Sequence, residues 1–85
     1  NYPNPFNPST TIGFDLPRRS YVELVVFNIL GQEIRRLREQ PLPAGHHQAV
    51  WSGDYASGQQ APSGIYFYRL RTGDISRVGK MVLLK

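Results

Sequence analysis

The side chains that could do chemistry are few. Two histidines, His46 and His47, are neighbours in GHHQAVW. Successive residues of an extended strand point to opposite faces, so one site cannot use both. A nucleophile needs a base placed beside it, and neither a triad spacing nor a nucleophile elbow occurs. Asp54 is the single acidic residue of residues 52–63, so the paired carboxylates of glycoside hydrolysis lack a local second member. In SGDYASG, residues 52–58, Asp54 and loop carbonyls offer oxygens to calcium, but the ligand count of a calcium loop is missing. Asp and Gly make turns there without any ion. The residues therefore predict no enzyme, no metal and no cofactor. Sugar stacking on exposed aromatic rings is the binding chemistry left. Trp51, Phe14, Phe27 and the run from Tyr66 to Tyr68 fall in strand-like segments, where core packing is their usual fate. Tyr2, Phe6 and Tyr55 are the remaining candidate ligand contacts.

The elements that would position these residues are strands. Gly and Pro punctuate the chain at short intervals, leaving segments too short for helices. In residues 10–16, Ile12, Phe14 and Leu16 share one face and Thr11, Gly13 and Asp15 the other, until Pro17 removes a ladder donor. Residues 21–28 put Val22, Leu24 and Val26 on one face, with Tyr21, Val25 and Phe27 making the other apolar apart from Glu23, as in a central strand. Gly31 tolerates positive φ and predicts a tight hairpin. In residues 33–38, Ile34 and Leu37 stand three apart, which fits a helical turn or a bulged strand. Six residues are too few for an independent helix. The expectation is an edge strand whose Arg35, Arg36 and Arg38 discourage edge-to-edge aggregation.

Beyond a Pro- and Gly-containing loop, His47, Ala49 and Trp51 alternate with His46, Gln48 and Val50, and Trp51 should anchor the core. Residues 52–63 make the longest loop. Residues 64–71 set Tyr66, Tyr68 and Leu70 against Ile65 and Phe67, with both faces expected to be covered. After a turn at 72–74, a final strand runs through Val78, Met81, Val82, Leu83 and Leu84, its register open. Six to seven strands with turns at this spacing predict an all-β fold, an immunoglobulin-like antiparallel β-sandwich.

Composition sets the outer bounds. A length of 85 residues allows one domain, and 40% hydrophobic with 19% charged residues suffices for a core. Without cysteine, neither a disulfide framework nor a thiolate metal site holds it together. No run approaches the roughly 18 apolar residues of a membrane span, and no basic-then-apolar leader opens the chain. The net charge of +4, with eight of ten basic residues Arg, invites a nucleic-acid partner. The charges are dispersed along the chain, however, and no RNA-recognition consensus or zinc-finger spacing is present, so none is expected. The start on Asn1, directly in a structured-looking motif, suggests that residues 1–85 are a single domain excised from a longer polypeptide.

Four stretches carry a resemblance: NYPNPFNPSTTI at 1–12, VFNILGQEIRRL at 26–37, AGHHQAVWSG at 44–53 and APSGIYFYRLRTG at 61–73. Together with the closing GKMVLLK, they resemble the C-terminal sorting domain of substrates of the type IX secretion system. The resemblance implies an immunoglobulin-like module that directs an upstream cargo, such as a glycanase or peptidase, across the outer membrane. It implies recognition by the outer-membrane translocon, then a surface sortase and attachment to anionic lipopolysaccharide, at the cell surface or in the medium. The family's Gly-x-Tyr motif falls on Gly64 and Tyr66. Its terminal basic and apolar signal falls on Lys80, Met81, Val82, Leu83 and Leu84, with Lys85 last. A glycine entering a strand would permit close backbone approach, Tyr66 would be half-buried, and a final edge strand could be read by strand addition. Ser52 departs from the family's Trp-Asp-Gly motif, which removes a carboxylate beside Asp54. The flagellar hook-capping protein carries a related immunoglobulin-like domain with similar Leu-Gly-Gln and Trp-x-Gly signatures, so a structural assembly role is the alternative, alongside carbohydrate binding.

Overall fold

Period-two alternation of apolar residues gives six antiparallel strands in a computed structural model that describes residues 9–73 and 75–84. They are β1 (Thr10–Leu16), β2 (Ser20–Asn28), β3 (Glu33–Leu42), β4 (Gly45–Trp51), β5 (Gly64–Arg71) and β6 (Ser76–Leu83). β1 pairs with β4 in a two-stranded sheet, and the other four form a sheet in the order β3-β2-β5-β6. The inward residues of both sheets meet in one core. Ile12, Phe14 and Leu16 come from β1, Ala49 and Trp51 from β4, and Val22, Leu24 and Val26 from β2. Each of the Val, Leu, Ile and Phe side chains contributes about 1.5–3 kcal/mol by leaving water. The fold is the expected immunoglobulin-like sandwich, with β2 central in its sheet.

The irregular segment resolves as the bulged strand. Pairing runs from Leu24↔Arg38 to Val25↔Arg36 and from Val26↔Arg35 to Phe27↔Glu33, so Leu37 and Ile34 are the extra residues. Two bulges turn both toward the core although they stand three apart, Ile34 buried and Leu37 packed against the cluster. The strand extends through Pro41 to Leu42, and a proline is tolerated because β3 is an edge. The β2–β3 turn carries Gly31 at φ 79°. Asn28 Oδ1 accepts from the amides of Leu30 (2.9 Å) and Gln32 (3.0 Å), leaving Ile29 and Leu30 exposed at the tip.

One expectation fails. Among the described residues no further layer covers the outer face of β5: Ile65 is 44% exposed and Phe67 only half-buried. On the same face Val25 is fully buried, flanked in register by Arg36 and Arg69. Long side chains can shield apolar surface with their stems in this way. A short run of apolar residues on both faces of a strand signals burial equally well under a second sheet or under such side chains.

Candidate functional site

The residues of the two candidate signal motifs converge on the β5–β6 hairpin. Its register sets Gly64 opposite Leu83, Ile65 opposite Val82, Tyr66 opposite Met81 and Phe67 opposite Lys80. Alternation then divides them. Met81 and Leu83 are buried in the core, whereas Lys80, Val82 and Leu84 are exposed. Tyr2, Phe6 and Lys85 lie outside the described residues.

Gly64 departs from the close-approach expectation: a Cβ there would find nothing within 4 Å. Its φ of 156° is what calls for glycine, since L side chains rarely adopt that conformation. Tyr66 is more buried than expected, at 4% exposure. Its hydroxyl donates to the Pro62 carbonyl at 2.6 Å, and its ring meets Trp51 edge-on, with centroids 4.9 Å apart. Burying an aromatic ring with a satisfied hydroxyl suits packing, so Tyr66 ties the end of the long loop to the core.

Burial also sets the titration of Tyr66. Desolvation first, then the charge of Tyr55, raises its pKa above the ordinary value of 10.0. Such a phenol ionises in the unfolded chain before it does so in the folded one. Stability is therefore intact below pH 10.0 and declines as pH rises from there through the folded value. Urea midpoints taken across that alkaline window should fall less steeply in Tyr66→Phe than in the parent. Equal slopes would assign the loss to another group.

Gly79 is a residue the sequence does not single out. It stands opposite Tyr68 in the hairpin register, and a Cβ built on it would fall within the Tyr68 ring. The aromatic ring fills the space that a side chain on this edge strand would otherwise occupy. The only signal in the sequence is a lone glycine inside an otherwise regular strand, a mark of close approach.

The other candidates have structural partners. His46 Nδ1 lies 2.8 Å from Asp15 Oδ1. His47, on the opposite face as expected, places Nε2 2.7 Å from the Pro43 carbonyl and stacks on Phe14. Asp54 Oδ2 accepts from Arg35 Nη1 at 2.9 Å, while the Asp54 carbonyl accepts from Trp51 Nε1 at 2.9 Å. The loop closes on itself through Tyr55 N to Gln59 O, Gly58 N to Tyr55 O and Ala61 N to Gly53 O. Tyr55 is half-buried against the core rather than free, which weakens it as a sugar platform. It lines a cleft of about 290 Å³ with Ile29, Leu30, Ile34, Pro62 and Tyr66, and that lining holds no carboxylate, histidine or lysine. Among the described residues no three His, Asp or Glu side chains gather to hold a metal.

Comparison with known proteins places the sandwich among relatives. The crystal structure of FlgD from P. aeruginosa superposes with a TM-score of 0.69 at 22% identity, over 88% of this chain. The match spans 58% of the FlgD chain, so the likeness concerns part of that protein. No curated protein matches. The family model described as the FlgD Ig-like domain matches residues 4–74, a stretch that takes in β1 through β5. By that match the chain belongs to the FlgD Ig-like domain family.

Proposed function

We propose that this domain is a non-enzymatic C-terminal secretion signal and cell-surface attachment module that directs an upstream cargo across the outer membrane. One observation carries the reading: Gly64, Tyr66 and the segment from Lys80 to Leu84, distant in sequence, lie side by side in one hairpin whose outer strand is a sheet edge. An edge strand leaves backbone donors and acceptors free for a translocon to pair with. The inward residues Tyr66, Met81 and Leu83 hold the strand in register, and the outward Lys80, Val82 and Leu84 present the readable face. The partners are then an outer-membrane translocon, a surface sortase and anionic lipopolysaccharide. The domain acts at the cell surface or in the medium, covalently joined to its cargo.

Fusing residues 1–85 to the C-terminus of a periplasmic reporter, in a bacterium with a type IX secretion system, should send the reporter to the surface or medium. Periplasmic retention of a folded fusion would sink the reading. Deleting the last strand is a poor control because Met81 and Leu83 are core residues. Val82→Ser with Leu84→Ser alters exposed positions and should reduce export while the fold persists. Undiminished export of that variant would remove the outward face of the strand from the signal.

A structural assembly role is the second reading, favoured by the match to the FlgD Ig-like domain. It predicts that the fusion stays in the compartment of its reporter and co-purifies with an assembly. Carbohydrate binding predicts retention on insoluble polysaccharide that is lost in Tyr55→Ala.

A further inference from the structure

The uncompensated charge of the chain lies in its last hairpin. Before Gly64, five acidic residues match five basic ones. Residues 64–85 hold five basic residues, Arg69, Arg71, Arg77, Lys80 and Lys85, and one acidic residue, Asp74, so in sequence the net charge of +4 belongs to this stretch. The basic residues are spread along the chain as expected, but the acidic ones are not. Carboxylate pairing is concentrated on β3 but is not complete before Gly64, since among the described residues Arg19 and Arg38 also lack a carboxylate partner. Arg35 is bonded to Asp54, and Arg36 is ringed by Glu33, Glu39 and Glu23. On the hairpin, Arg71 reaches Glu23 at 3.7 Å, and Arg69 lies over the Phe27 ring at 5.0 Å. Among the described residues, Arg77 and Lys80 have no carboxylate partner.

These cations flank an undefended sheet edge. Among the described residues β6 pairs with β5 on one side only, and it runs without a bulge from Arg71↔Ser76 to Gly64↔Leu83. The opposite edge, β3, is blunted by two bulges, Pro41 and its arginines. The outward residues of β6 alternate as Val78, Lys80, Val82, with the two valines 64% and 55% exposed. Ile65 continues that apolar surface onto β5.

We propose that β6 is a docking edge for an extended acidic segment of a partner protein, which adds as a fifth strand with a carboxylate opposite Lys80 and aliphatic side chains opposite Val78 and Val82. Such a strand satisfies the free backbone groups of the edge. Opposite charges and β-branched pairs across strands supply the side-chain match. A second copy of this chain fits less well, because its own β6 brings Arg77 and Lys80 to the same edge. A polyanion answers the charge but leaves the backbone edge and the valines without partners. The inference rests on the reading above only in taking β6 as the recognised strand.

The test titrates the isotope-labelled 85-residue chain with a synthetic peptide repeating Val-Thr-Glu-Thr, which when extended alternates Val and Glu along one face. Controls are a peptide of the same composition with its glutamates clustered, a Val–Lys peptide, and heparin as a polyanion. Amide shifts concentrated on β6, weakened by added salt, are expected for the alternating acidic peptide. Lys80→Glu should weaken that peptide about fivefold or more and gain binding to the Val–Lys peptide. Shifts centred on another strand, equal binding of the clustered peptide or heparin, or dimerisation of the chain through β6 would each overturn the proposal. Peptide binding without export of the reporter fusion sinks the sorting reading alone, whereas export without peptide binding sinks this inference alone.

Discussion

Trp51→Ala lowers the unfolding free energy by about 3–5 kcal/mol, a large share of the roughly 5–15 kcal/mol by which folded domains are stable. Trp51 is fully buried, and three structural features depend on it. Its ring is the surface on which Tyr66 packs edge-on. Its indole N–H satisfies the Asp54 carbonyl, at the start of the self-bonded loop. It ends β4 opposite Thr10, the first residue of β1, so a cavity there loosens both sheets. Trp51→Phe keeps most of the apolar volume but drops the indole donor; it should cost less than Trp51→Ala, while both variants share about 1–3 kcal/mol for the unsatisfied Asp54 carbonyl. Urea denaturation of the parent and both variants, followed by circular dichroism, orders the three. Trp51→Ala unfolding near the parent midpoint would show that the core closes without its largest side chain.

How far the sequence discloses this architecture depends on what sets each element. β1 and β4 alternate buried and outward residues, and β2 does so apart from Val25; such alternation is what a half-covered strand writes into a sequence. β3 is harder, because bulges at Ile34 and Leu37 replace period two with a spacing of three. The same spacing serves a helical turn, and only length separates the two. β6 could not be registered from its own residues, since Met81, Val82, Leu83 and Leu84 are all apolar. Pairing with β5 decides that Met81 and Leu83 face the core. The open outer face of β5 was illegible for a related reason: apolar residues on both faces predict cover, whatever provides it.

The candidate site was legible in its members and not in their division of labour. Gly64, Tyr66 and the last strand were singled out from the sequence, but which of them hold the hairpin and which present a surface follows from strand pairing. The concentration of charge needed no coordinates, only a comparison of acidic with basic residues on either side of Gly64. Arg36 illustrates why position alone misleads. In sequence it belongs to an arginine cluster. In space it sits among Glu33, Glu39 and Glu23, and its pKa is raised first by the hydrogen bond to Glu33 and then by the nearby carboxylate charges, against a lowering by burial. That cation is already neutralised, so Arg36 adds no attraction to a surface on which its sequence position alone would count it.

Gly79→Val is expected to destabilise the domain by about 1–3 kcal/mol, the range for forcing extra volume into occupied space. Strand propensity alone argues for the opposite sign, since Val is favoured over Gly on a pleated surface by up to about 1 kcal/mol. The deciding fact is that a Cβ at position 79 would fall within the Tyr68 ring. Tyr68 is half-buried and packed against the core cluster, so moving its ring loses contacts as well as relieving the clash. A double-mutant cycle separates the two contributions. In a Tyr68→Ala background the space is vacant, and Gly79→Val should become neutral or stabilising. Equal destabilisation in both backgrounds would make the ring irrelevant. If the sign reverses, the glycine is explained by the ring that covers it, and the inner face of β6 is sealed by Tyr68. The backbone edge and the outward Val78, Lys80 and Val82 are then the parts of that strand available to a partner.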